Sequence, residues 1–207
     1  MSDARLNPEA PPSPEHVAIH RKDYRPPDFM VSEVALDFAL DPERTRVKSR
    51  LIVQRSGDHD RALLLTGDEL RPLAVRVDGK DARWKMDGDE LLVELDSDSA
   101  TVETEVELSP AANSKLMGLY VSGGNFCTQC ESQGFRRITF HPDRPDVLSR
   151  YAVRMSADKA RFPVLLANGN LVASGAVTSV GRRRPTNAST IPPSASAAPP
   201  PASNVQR

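Results

Sequence analysis

Apolar and polar residues alternate at period two over long stretches of this chain, the signature of strands with one buried and one wet face. Val34, Leu36, Phe38 and Leu40 fall on one face, and Glu33, Ala35, Asp37 and Ala39 on the other. Beyond the turn residues Asp41-Pro42-Glu43, the series Val47, Ser49, Leu51, Val53 alternates against Arg46, Lys48 and Arg50, so the two segments pair as an antiparallel hairpin. The pattern returns in Leu73, Val75 and Val77, in Ala82, Trp84 and Met86, and in Leu91, Val93 and Leu95. Asp78-Gly79 and Asp87-Gly88 separate these runs, and Asp-Gly accepts the positive φ values that tight hairpins require. Val102, Thr104, Val106 and Leu108 stand against Glu103, Glu105 and Glu107, which sets a strand whose acidic face meets water. Tyr151, Val153 and Met155 form a further strand. Val164-Leu165-Leu166 and Leu171-Val172-Ala173 flank Asn168-Gly169, the strongest short hairpin signal in the chain. Asp146 to Arg150 allows one turn after Pro145, and no window sustains an amphipathic helix over three turns. These elements predict an all-β fold, a saddle-like antiparallel sheet or sandwich.

The pattern also divides the chain. Residues 1–22 are polar and carry Pro8, Pro11, Pro12 and Pro14, which predicts an extended, disordered arm. Residues 23–176 hold the β domain. From 177 to 207 the composition turns to Arg, Pro, Ser and Ala, with Arg182-Arg183-Arg184 at its head and almost no large apolar residue, so a disordered tail is expected. A change this abrupt is what a frameshifted or truncated reading frame produces. The length of 207 residues suits one domain with a sizeable core. With 27 Lys+Arg against 28 Asp+Glu, nothing in the charge balance calls for nucleic acid or an anionic membrane as a partner. The start lacks a cationic segment followed by an apolar run, and no stretch is apolar enough to span a bilayer, which leads to the expectation of a cytoplasmic protein.

Two cysteines, Cys127 and Cys130, are too few for a disulfide scaffold and fit free thiols in a reducing compartment. Their Cys-x-x-Cys spacing suits a redox pair or half a zinc site. The first wants a neighbouring βαβ unit, and the second wants four ligands, of which His141 would supply only a third. His16, His20 and His59 lie in polar surroundings with no shared spacing. Two small, half-buried side chains near a strand end is the plainer account.

The run Thr128-Gln129-Cys130-Glu131, followed by Gly134-Phe135-Arg136 and then by Asp143-Arg144-Pro145-Asp146-Val147-Leu148, resembles the bacterial branch of the aminopeptidase N family of zinc metallopeptidases. The resemblance is reinforced by His20-Arg21-Lys22-Asp23-Tyr24-Arg25-Pro26-Pro27-Asp28, by Ser109 to Asn113 before Gly118-Leu119-Tyr120, and by Asp158-Lys159 with Leu166 to Asn170. It runs from about His20 to Gly175, with His141-Pro142 replacing a more aromatic or aliphatic pair. The resemblance implies the amino-terminal, saddle-shaped β domain of that family, from which a loop reaches into the active site of a following catalytic domain. It further implies that Glu131 binds the free α-ammonium of a peptide substrate and that Gln129 lines the pocket for the first side chain. A desolvated carboxylate suits that task through a charge-assisted hydrogen bond.

The sequence contains no His-Glu-x-x-His and no Gly-Ala-Met-Glu-Asn. Zinc peptidase chemistry needs three protein ligands, an open metal position and a general base. The expectation is therefore no catalytic residue, no metal ligand and no cofactor in this chain, with zinc belonging to the full-length family. The implied partners are a peptide amino terminus as family substrate and the missing catalytic domain as packing neighbour. The alternative from a different class is a non-catalytic β-sandwich module that binds peptides or another chain.

Overall fold

The structure is a computed structural model that describes residues 20–178 and 185–191, the last seven and residues 177–178 by their backbone alone. Strand β1 (Phe29–Ala39) buries Phe29 and Val31 and then Val34, Leu36 and Phe38. The change from odd to even positions is made by a register shift between Val31 and Glu33, a bulge that keeps apolar side chains inward on both sides of it. Asp41 turns the chain toward β2 (Thr45–Arg55): its Oδ1 accepts the backbone N–H groups of Glu43 (2.9 Å) and Arg44 (3.2 Å). The hairpin predicted from the alternation is present, with Val34 opposite Leu51 and Phe38 opposite Val47.

The chain continues through β3 (Leu63–Thr66), β4 (Pro72–Val77), β5 (Lys80–Asp81), β6 (Trp84–Asp87), β7 (Glu90–Val93) and β8 (Ser99–Leu108). Next come the hairpin β9 (Gly118–Ser122) and β10 (Asn125–Gln129), then β11 (Arg150–Asp158), β12 (Ala173–Thr178) and β13 (Pro185–Ile191). An eight-stranded sheet has the order β12-β13-β11-β1-β2-β8-β4-β5, and β3-β7-β6 form a three-stranded sheet. Side chains from both, among them Leu51, Val102 and Val106 of the large sheet and Leu63, Leu65, Leu91 and Val93 of the small one, share one core. Ile138, Phe140 and Val147, from the segment after β10, close it. The all-β architecture read from the pattern is thus the architecture observed.

Several details differ from the pattern. β1 and β11 run parallel, because the whole domain intervenes between them and no hairpin constrains their direction. Asp78-Gly79 does make the tight turn between β4 and β5, with φ of 51° and 75°. The chain then changes sheets, so the run Ala82-Trp84-Met86 does not extend that hairpin, and Trp84 remains 43 % exposed. No hairpin forms around Asn168-Gly169: residues 163–172 carry no strand, and β12 pairs with β13. Two flanking runs of three residues make too short a ladder to outweigh a six-residue pairing on β13. β3, β9 and β10 are strands that alternation did not single out. The boundary drawn at residue 176 falls inside β12, and Pro185–Ile191 pairs with β11. Backbone ladders need no apolar side chains, so a change in composition does not by itself mark the end of a sheet. Most of the arm (1–19), with His16, and the stretches 179–184, with Arg182, Arg183 and Arg184, and 192–207 lie outside the described residues.

Candidate functional site

Gln129 is the last residue of β10, and Glu131 stands two residues beyond it in the turn that leaves the hairpin. Both are exposed. Nε2 of Gln129 donates to the backbone carbonyl of Glu131 (3.3 Å), so the two side chains implied by the family resemblance do belong to one small tip. The Glu131–Ser132 peptide is cis. The Glu131 carboxylate makes no ion pair with another described residue, which leaves its oxygens open to a cation from outside.

The ground behind the tip is firmly held. The Gly134 N–H donates to the carbonyl of Cys130 (2.8 Å), closing the turn into a short 3-10 segment, Phe135–Arg137. Arg136 reaches back to Asp143: its Nε donates to Oδ2 at 2.8 Å, its own N–H to the same oxygen at 3.3 Å, and its Nη2 to the Asp143 carbonyl at 3.0 Å. Arg137 forks onto Asp68 and Glu69, and Lys115 joins Glu69 from the far side. His141 completes the anchorage through its backbone, which exchanges two hydrogen bonds with Thr66 of β3 (3.1 and 3.0 Å). The stretches Tyr24 to Asp28 and Arg144 to Asp146, both part of the family resemblance, also meet. The Tyr24 hydroxyl donates to Asp146 (3.0 Å), and Arg144 binds both Asp146 and the carbonyl of Arg25. Those contacts hold the Asp146 carboxyl down at about 2, chiefly through Arg144.

His141 is 3 % exposed and neither ring nitrogen has a hydrogen-bond partner among the described residues. Its ring stands edge-on to Phe135, with centroids 5.1 Å apart. Burial pushes its pKa down from 6.5 to about 4, against a smaller opposing pull from Asp143. Its role is therefore packing in the neutral form. Cys127 and Cys130 are free thiols, and burial raises the Cys130 pKa. Cys127, Thr128 and Gln129 are extended, a backbone that carries residues three apart toward about 10 Å, well past the roughly 4.4–6.8 Å of a disulfide. His59 sits elsewhere, edge-on to Phe29 and beside Arg55. Among the described residues no group of three or more His, Cys, Asp or Glu side chains is placed to hold a metal ion, so zinc has no fitting donor set here.

Beside the tip lies an open apolar hollow of about 750 Å³, lined among others by Phe126, Phe135, Tyr151, Phe162, Val164 and Leu166. Leu166 is 85 % exposed, and Val164, Leu171 and Val172 are likewise bare. Alternation could not have found this feature, because residues 163–172 form no regular element. The signal was present only as large apolar side chains clustered around Asn168-Gly169.

The fold and the family comparison define the class: an all-β, amino-terminal domain of the kind found in zinc metallopeptidases. The family model for the Peptidase M1 N-terminal domain matches residues 44–191, and the chain belongs to that family. It is 47 % identical over 163 residues to aminopeptidase N of Caulobacter vibrioides, covering 77 % of this chain and 19 % of that protein. Against aminopeptidase N of Escherichia coli it is 42 % identical over 159 residues, covering 76 % of the chain and 18 % of the relative. The chain thus spans about a fifth of the length of these curated relatives. Among solved structures, Legionella pneumophila aminopeptidase A in complex with aspartic acid superposes with a TM-score of 0.73 at 26 % identity, over 83 % of this chain and 20 % of that one. An M1 zinc metallopeptidase from Deinococcus radiodurans shares the fold, with a TM-score of 0.66 at 16 % identity over 81 % of this chain and 39 % of that one. No described helix is long and apolar enough to cross a membrane.

Proposed function

We propose that this chain is the part of a zinc-dependent aminopeptidase that receives the amino terminus of a peptide. Glu131 binds the α-ammonium group and Gln129 shapes the pocket for the first side chain. The observation that carries this reading is the Gln129–Glu131 tip itself: an exposed carboxylate without a counter-ion among the described residues, on a rigidly backed loop, in a chain closely similar to aminopeptidases N. A carboxylate in that setting forms a charge-assisted bond to an ammonium and fixes the register of the peptide.

Hydrolysis needs the metal-binding catalytic domain, so the chain by itself is inactive. That domain is also the natural cover for the apolar hollow beside the tip, whose bare Val164 and Leu166 would otherwise face water. The two unbridged cysteines support a cytoplasmic setting.

The test joins this chain to the remainder of a full-length relative and replaces Glu131 by Gln. Hydrogen bonds to charged groups contribute roughly 1.5–3 kcal/mol, so kcat/KM for an amino-acid anilide should fall by about ten- to a hundredfold with zinc content unchanged. Gln129→Ala should instead shift preference among first side chains. Full activity of Glu131→Gln, or loss of zinc, would remove Glu131 from this role.

A further inference from the structure

Gly134 is not a glycine because of its backbone angles. Its φ of −85° and ψ of −14° lie in the right-handed helical region, which any L-residue adopts. Space is the reason. A β carbon built on Gly134 would lie 2.4 Å from the carbonyl oxygen of Gln129, 2.9 Å from Cα of Cys130 and 3.1 Å from Cε of Met117. The methionine end is flexible and can swing aside. The other two atoms are backbone, and they belong to the two residues that lead directly into Glu131. The same pair of segments is joined by the Gly134 N–H to Cys130 carbonyl bond of 2.8 Å. The end of β10 therefore rests on the bare face of Gly134.

The two sides of this contact are not held equally firmly. Behind Gly134, Phe135 packs on His141, Arg136 is held at three points by Asp143, and Ile138, Thr139, Phe140 and His141 are buried. In front, Gln129, Glu131 and Ser132 are exposed: the backbone of Gln129 ends the β9–β10 ladder opposite Gly118, and beyond that last pairing the tip carries, among the described residues, the weak link from the Gln129 side chain to the Glu131 carbonyl. Any side chain at position 134 would thus lift the tip rather than shift the ground behind it.

We propose that Gly134 is a positioning residue for the loop that binds the peptide amino terminus: its missing side chain sets how far Gln129 and Glu131 stand above the fold. The proposal rests on the reading of Glu131 as the ammonium anchor. Adding one methyl group restores a normal contact only if the tip moves outward by on the order of 0.5–1 Å, a displacement that at an orienting group costs up to about a hundredfold.

The experiment compares the wild-type chain with Gly134→Ala, Glu131→Gln and the double variant. Gly175→Ala serves as control, since a β carbon there meets nothing within 4 Å. Backbone amide spectra report the geometry, and titration with leucine amide, with N-acetyl-leucine amide as the blank, reports the binding. Gly134→Ala should move the amides of residues 129–132 and leave those of Arg136 and the core in place. It should weaken leucine amide binding at least about tenfold, and the double variant should bind no more weakly than Glu131→Gln, because a positioning residue acts only through the group that it positions. Unmoved amides at 129–132, or independent and additive losses in the double variant, would overturn the proposal. So would loss of the folded spectrum, which would assign Gly134 to the fold instead. If the wild-type chain fails to bind leucine amide, or binds it equally well after Glu131→Gln, the anchor reading falls, and the amide positions alone then judge Gly134.

Discussion

The β1–β2–β8 face and the Gln129–His141 segment are held in place by opposite means. In the first, every second side chain points inward: Val34, Leu36, Val47, Leu51, Val102 and Val106 are all buried, and each strand repeats the message of its neighbour. Sliding any of these strands by one residue would turn a whole row of apolar side chains to water. The second region has no periodicity. It is held by a few contacts between residues far apart in sequence: Arg137 with Asp68 and Glu69, and the His141 backbone with Thr66. A redundant structure tolerates the loss of any one polar link, whereas a structure with few links turns each of them into a determinant of shape. That is why a functional tip can stand on the second kind of support: the tip itself makes few contacts, and the ground beneath it is specified point by point.

Four measurements can break or sharpen this contrast. The largest effect belongs to the sheet, where Leu51→Ala leaves a cavity at a fully enclosed position and should destabilise the chain by about 2–5 kcal/mol in chemical denaturation. Next comes a pH effect rooted in the anchoring segment. The folded state holds His141 at about 4 against an ordinary 6.5, so the unfolded chain binds the extra proton between those values. The contribution of neutral His141 is complete above pH 6.5 and is lost as the pH falls toward 4, by an amount on the order of 3 kcal/mol. His141→Phe should flatten this slope in denaturation curves recorded from pH 7 to 4, and an unchanged slope would show that other groups carry it.

Asp143→Ala comes third. It removes the carboxylate acceptor of the half-buried Arg136, leaving only the backbone carbonyl at 143, and should cost about 1–3 kcal/mol, with hydrogen exchange rising first at residues 134–138 rather than in β1 or β2. Exchange that rises uniformly over the domain would mean that the two regions unfold as one and that the contrast is only geometric. The smallest effect is expected at the tip, where Glu131→Gln should leave the denaturation midpoint within about 0.5 kcal/mol of wild type. A larger loss would give Glu131 a structural task and weaken its assignment to ligand binding.

The alternation of Val34 to Leu40 against Val47 to Val53, and of Val102 to Leu108 against three glutamates, was enough to read an all-β domain and its first hairpin, because period two admits one solution when one face must be buried. The family resemblance, carried by the residues from Thr128 to Arg136 and from Asp143 to Leu148, implies roles for Glu131 and Gln129. Other features lay beyond local reading. Asn168-Gly169 has the residues of a hairpin turn but no hairpin, since β12 finds a longer partner in β13. Ala82, Trp84 and Met86 alternate as one strand should, yet the chain leaves one sheet for the other in their midst. His141 sits beside a polar Asp143 in sequence and is nonetheless enclosed by Phe135 and the core. Gly134 occupies an ordinary helical conformation, and only the backbone of Gln129 and Cys130 lying against it shows why no side chain fits there. Local patterns determine which residues form strands and which face they bury, because those choices depend on neighbours one to four positions away. Which strand ends beside which, where a charge goes unpaired and which glycine must be bare are decided when distant segments meet, since those are properties of contacts and not of the chain.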